Sequence, residues 1–175
     1  HTELLASAFD ALAECAARSD EPLPQDVAEA AVSVAAMFPD LEISALRLFS
    51  STHVDSFAVA TFCVEHAISA LAGSFAVPKE RKISQVALKL LAGIAGEHAV
   101  NVEITRLDAL SVVVRSVDHN IHDGPFLVEA LHFFAAIGAS QLAVEHGPAV
   151  LRHIARILDS NKEDSVITTG LTSFR

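Results

Sequence analysis

The chain has no tryptophan, no tyrosine and only two cysteines, and charged residues make up just 19% of its 175 positions. Each scarcity excludes something. Cys15 and Cys63 are too few for a disulfide framework, and no Cys-x-x-Cys pair marks a zinc site. A reducing compartment is therefore expected, the cytoplasm first, with the nucleus also open. Without Trp or Tyr, aromatic packing falls to the ten phenylalanines. No apolar run is long enough to span a bilayer, since Val112-Val113-Val114 is bounded by Asp108 and Arg115. No signal-peptide pattern is visible. No strand-like alternation, low-complexity stretch or domain-splitting linker occurs. The motifs of a serine-hydrolase elbow, a phosphate loop, a dinucleotide loop and a zinc-protease helix are all missing, so no enzyme and no cofactor is expected.

Basic residues are the scarcer sign, with 12 Lys and Arg against 22 Asp and Glu, a net charge of −10. That balance argues against nonspecific binding to nucleic acid or to an anionic membrane, which needs a basic patch. A local basic stripe is still compatible with it.

What the chain does have is apolar content, 51%, and a repeat. The segments Ala45-Leu46-Arg47-Leu48, Ala87-Leu88-Lys89-Leu90-Leu91 and Ala130-Leu131-His132-Phe133-Phe134 share one helical pattern, with Leu46, Leu88 and Leu131 spaced by 42 and 43 residues. Leu171 extends the series after 40 residues, and Leu4 precedes it by 42. A period of this length means stacked helical units, each too small to bury its own apolar face.

Periodicity, caps and breakers predict the helices. Thr2 caps a first helix to about Ser19, with Leu4, Leu5, Ala8, Phe9 and Leu12 on one face. Pro24 starts a second helix to Phe38, with Val27, Ala31, Val34 and Phe38 as its stripe. A third runs from Leu41 to His53. Asp55 caps a fourth to about Val64, and a bend at Glu65-His66-Ala67 leads to another ending near Val77-Pro78. A long helix covers Glu80 to Gly96. The next unit reads His98–Arg106, Asp108–Asp118, the loop Asn120-Ile121-His122, and Asp123–Ala139. The last reads Ser140–His146, Pro148–Asp159 and Glu163 onward.

Three helices in about 42 residues resembles the armadillo repeat. The closest stretches are Val144 to Leu151 with Ile154, Ile157 and Leu158, and Leu127 to Phe134. The Gly147-Pro148 pair is similar to the armadillo bend between first and second helices. The resemblance implies a right-handed, all-α solenoid of about four three-helix units. The whole chain, 1–175, would be one superhelical domain, with 1–40 a degenerate or capping repeat and 41–175 clearer repeats. HEAT repeats, with two helices per unit, are the rival description. The chain opens with His1 and stops at Arg175 inside a repeat, so it is expected to be part of a longer protein.

The resemblance also implies a non-enzymatic scaffold that binds a protein segment on a concave face built from third helices. The family clamps its peptide with an Asn on that helix. The matching positions here are Ser51, Gly93 and Ala136, so the backbone clamp is not expected. The residues just after the anchor leucines are Arg47, Lys89 and His132, and they cannot point into the same core, because successive helical residues turn by about 100°. Ser44, Val86 and Glu129 lie one turn earlier. The candidate surface is thus a cationic line of Arg47, Lys89 and His132, flanked by Ser44, Glu129 and Ser51, suited to an acidic or amphipathic partner segment. The competing reading is plain solvation of a helix face. The alternative function is a structural spacer, or a homo-oligomer formed through repeat ends.

Three other features are weaker. His119 and His122, between Asp118 and Asp123, have metal-ligand chemistry, against which stands a solvated loop with Asp123 as a helix cap. The pairs Glu65-His66, Glu97-His98 and Glu145-His146 read as corners rather than catalytic dyads, with His146 and His153 sharing a partly exposed face. Cys63 near His66 reads as a buried small residue, and Gly93-Ile94-Ala95-Gly96 as packing plus a C-cap.

Overall fold

The computed structural model describes residues 2–19, 23–50, 56–73, 81–140 and 142–172. Among the described residues there are ten α-helices and no strand. They are α1 (Thr2–Arg18), α2 (Gln25–Met37), α3 (Glu42–Phe49), α4 (Phe57–Gly73), α5 (Arg81–Ile94), α6 (His98–Arg106), α7 (Ala109–His119), α8 (Gly124–Ala139), α9 (Ala143–Ser160) and α10 (Asp164–Thr172). A 3-10 turn, Pro39–Leu41, leads into α3.

The anchor leucines explain the packing. Leu46, Leu88 and Leu131 are completely buried, on α3, α5 and α8. These helices pack in succession: α3 against α5, α5 against α8, and α8 against α10, with α5 and α8 the most extensive pair. The other helices cover this row: α1 lies on α3, α4 on α5, and α9 on both α8 and α10. Alanines at the contacts (Ala45, Ala87 and Ala130, all fully buried) let helix axes approach closely. The phenylalanines fill what remains. Phe49, Phe126, Phe133 and Phe134 are fully buried, and Phe49 meets Phe62 edge to face at 6.0 Å. Burying one such side chain contributes about 1.5–3 kcal/mol, and the buried residues form one continuous core from Phe9 to Val166.

Several expectations change. The outer members of the leucine series are not anchors: Leu4 is 73% and Leu171 59% exposed. On α1, Thr2 is the first helical residue rather than a cap, and Phe9 alone is buried while Ala8 is exposed. The buried stripe of α2 is Ala28, Ala31 and Ala35, with Phe38 outside the helix and 38% exposed. The third helix ends at Phe49, with Ser50 as its C-cap, rather than at His53; the Asp55 cap and the end near Val77-Pro78 lie outside the described residues.

The largest correction concerns the bends. Helix α4 runs unbroken through Glu65-His66-Ala67, and α9 runs unbroken through Gly147-Pro148. Residues 65–67 contain no helix breaker. Pro148 deprives the Val144 carbonyl of its helical donor, but Val144 is 93% exposed, so water can take the lost bond. Of the four expected units, residues 2–49 and 98–139 carry three helices each, and the other two carry two among the described residues. Within residues 98–139 the break between first and second helices sits at Asp108, whose φ of 50° is left-handed. Asp and Asn tolerate that region better than most residues, and here the Asp108 carboxylate accepts from Ser111 Oγ at 2.8 Å.

Polar links join elements about one period apart. The Arg106 guanidinium bonds Glu103 on its own helix (2.6 Å) and Glu65 on α4 (3.1 Å). The Glu103 side chain is only 2% exposed, and the two carboxylates hold the guanidinium pKa above its ordinary value. Arg156 on α9 bonds Asp118 on α7. Asn161 donates from Nδ2 to the Ile121 carbonyl (3.5 Å) and accepts at Oδ1 from the Glu163 N–H (2.8 Å).

Candidate functional site

The row α3, α5, α8 presents the candidate line. Each follower is exposed where its anchor is buried: Arg47, Lys89 and His132 are exposed on three helices packed in order. The cause is geometric, since one step along a helix turns a side chain by about 100°, out of the core that holds the leucine. One turn earlier, Ser44, Val86 and Glu129 are half-buried at the edge of that core. Ser51 lies outside the described residues.

The line is not uniformly cationic. The His132 ring nitrogen Nδ1 lies 3.5 Å from the Glu129 carboxylate, three residues back on the same helix. The α8 member of the line thus has a carboxylate of its own helix beside it. The floor beside the line is small. Gly93 is exposed and Ala136 half-buried, and a Cβ at Gly93 or Gly96 would meet nothing within 4 Å. Neither glycine has a positive φ. Packing and a left-handed C-cap, expected from Gly93-Ile94-Ala95-Gly96, are thus not the reason for these glycines. They leave an open strip along α5.

The 118–123 loop resolves differently. Asp123 caps α8, accepting from the Phe126 N–H at 3.1 Å, with Pro125 in the first turn. The His119 ring bonds the Arg115 carbonyl at 2.8 Å. His122 is exposed and lines a concavity of about 480 Å³ with Asp123 and Glu163. Among the described residues, no three His, Cys, Asp or Glu side chains are grouped to hold a metal.

The acid–histidine pairs are not corners of a common kind. His66, mid-helix on α4, bonds Glu42 of α3 at 3.0 Å and packs its ring, tilted, against Phe62, with ring centres 4.1 Å apart. Glu65 reaches Arg106. Both are cross-links between elements. Glu97 directly precedes α6, and Glu145-His146 falls in the first turn of α9. His146 and His153 are both partly exposed; His153 lies over Phe134 of α8, with ring centres 6.0 Å apart. Burial, then Arg156, hold its pKa below the ordinary value. Cys63 is buried, and burial pushes its thiol pKa up, which disfavours the thiolate. Cys15, also set in an apolar helical pattern, is exposed instead.

The cross-links were not anticipated from sequence. A signal existed: Glu65 and Arg106 are 41 residues apart and Asp118 and Arg156 are 38 apart, close to the leucine period. No described helix is long and apolar enough to cross a membrane. Compared with family models, curated proteins and solved structures, the chain matches none.

Proposed function

We propose that the chain is a non-enzymatic protein-interaction module, an armadillo-like α-solenoid working in a reducing compartment. It receives an acidic or amphipathic segment of a protein partner along α3, α5 and α8. One observation carries this reading: three fully buried leucines, each followed by an exposed basic or imidazole side chain, on helices packed in succession. On a chain of net charge −10, that row is where an acidic segment finds complementary charge. Such contacts steer and orient a partner more than they hold it, and salt weakens them. The open strip at Gly93 lets the partner come close to α5. Because no Asn stands at Gly93 or Ala136, the partner is gripped through its side chains rather than by an amide clamp on its backbone. The three-helix plan of residues 98–139 favours the armadillo description, while the unbroken α4 and α9 favour HEAT-like units on either side.

The test compares the wild-type chain with Arg47→Glu/Lys89→Glu/His132→Glu in a pull-down from native lysate. Proteins retained by the wild type and lost by a variant with unchanged circular dichroism are expected. Identical captures would move the interface away from this row.

A second reading is self-association through the outer helices, supported by the exposed Leu4 on α1 and Leu171 on α10. Light scattering with Leu171→Glu tests it: a wild-type dimer that the variant dissolves would favour this reading.

A further inference from the structure

Helix α6 and the turn before α9 border an open cleft of about 450 Å³, lined by His98, Asn101, Val102, Thr105, Arg106 and Leu142. The α6 residues recur at helical spacing and so share one face, which α9 does not cover. Val102 is 44% exposed there, and Leu142 supplies a second apolar wall. Within this apolar lining stands one anomalous polar group. Asn101 is only 5% exposed, and its Oδ1 is buried with no hydrogen-bond donor. Buried acceptors are almost always paired, so an unmet one needs a reason. Two neighbouring donors are committed elsewhere. Thr105 Oγ1 donates to the Asn101 main-chain carbonyl at 3.1 Å, and Arg106 donates to Glu103 and Glu65.

We propose that this cleft receives an aromatic side chain of a protein partner that carries one polar hydrogen, the indole of tryptophan or the phenol of tyrosine. The volume lies within the range of ligand pockets, and the walls suit a flat apolar body. An aliphatic group would leave the amide oxygen unmet. A Lys or Arg would have to bring its charge against the Val102 and Leu142 walls, at a desolvation cost. A ring bearing one N–H or O–H fills the apolar volume and brings a donor. The terminal torsion of Asn is soft and can turn the oxygen toward it. None of the 175 residues is Trp or Tyr, so the chain has no such group of its own to offer. This surface shares no residue with the Arg47, Lys89 and His132 row, and it stands or falls separately.

The test is a methyl and amide NMR titration of the 175-residue chain with indole, with indene (the same shape without the N–H) and with N-acetyl-tryptophanamide. Indole and N-acetyl-tryptophanamide are expected to shift the Val102 and Leu142 methyls, with indole binding about tenfold more tightly than indene. Asn101→Leu is expected to equalise the two, and Val102→Arg to abolish binding. No shifts, shifts confined to other helices, or equal affinities in the wild type would overturn the proposal. So would an indole preference that survives in Asn101→Leu. Binding of indole with exclusion of N-acetyl-tryptophanamide would overturn the side-chain source. Should Asn101→Leu fail to fold, Val102→Arg at its exposed position decides, together with the wild-type indole-to-indene ratio.

Discussion

Residues 98–139 and 143–172 answer the same pattern in opposite ways. The second segment contains Gly147-Pro148, a helix-breaking pair, and α9 passes straight through it. The first contains neither glycine nor proline near its break, yet it turns at Asp108. The anchor of the first, Leu131, is fully buried, while its counterpart Leu171 is 59% exposed. Breakers therefore act only where the surroundings use the break. Around Asp108, α6 and α7 both pack on α4, and Glu65 of α4 fastens Arg106 two residues before the turn. Around Pro148, the residue losing its bond faces water, and nothing draws the preceding turn away.

The strongest way to test this contrast is at the anchors. Leu131→Ala is expected to cost about 2–5 kcal/mol in urea unfolding, and Leu171→Ala less than about 0.5 kcal/mol. Equal losses would mean that α10 packs as tightly as α8. Next comes the bend. Asp108→Val places a β-branched residue at positive φ and is expected to cost about 1–3 kcal/mol, whereas Asp108→Gly is nearly neutral. Pro148→Ala restores a helical bond within α9 and is expected to raise stability by about 1 kcal/mol; a loss would show that the proline stabilises the helix start.

The smallest effect is a pH dependence at the joint between the two segments. His153 is held below its ordinary value near 6.5, so the unfolded chain takes up the proton first. Its contribution to stability is complete above pH 6.5 and is lost as pH falls toward the lowered folded value. Urea midpoints at pH 7.5 and 5.5 should differ less in His153→Gln than in the wild type.

The anchors were legible in the sequence because a residue's burial on a helix follows from local periodicity, and three of the five leucines obey it. Arg47, Lys89 and His132 were legible for the same reason, being one step from each anchor. The bend at Asp108 was legible as a boundary, though glycine and proline were the wrong guide elsewhere. What stayed hidden depends on two distant segments meeting. The Glu129 carboxylate that offsets His132 was visible in place but not in orientation. Arg106 joining Glu65 and Glu103, and the unmet Asn101 oxygen, arise only once α4, α6 and the start of α9 lie together. The exposure of Leu4 and Leu171 follows from having no described helix packed outside α1 and α10, which no local pattern encodes.

The unequal placement of the two thiols gives the molecule its own clock. Cys15 stands open on α1, while Cys63 is sealed inside α4 with its proton held tightly. An alkylating reagent should consume the first at once and reach the second only when α4 lifts from its neighbours. The lag between the two modifications is then the opening time of the middle of the chain, read without an added label, and a partner that clasps α3, α5 and α8 should lengthen it.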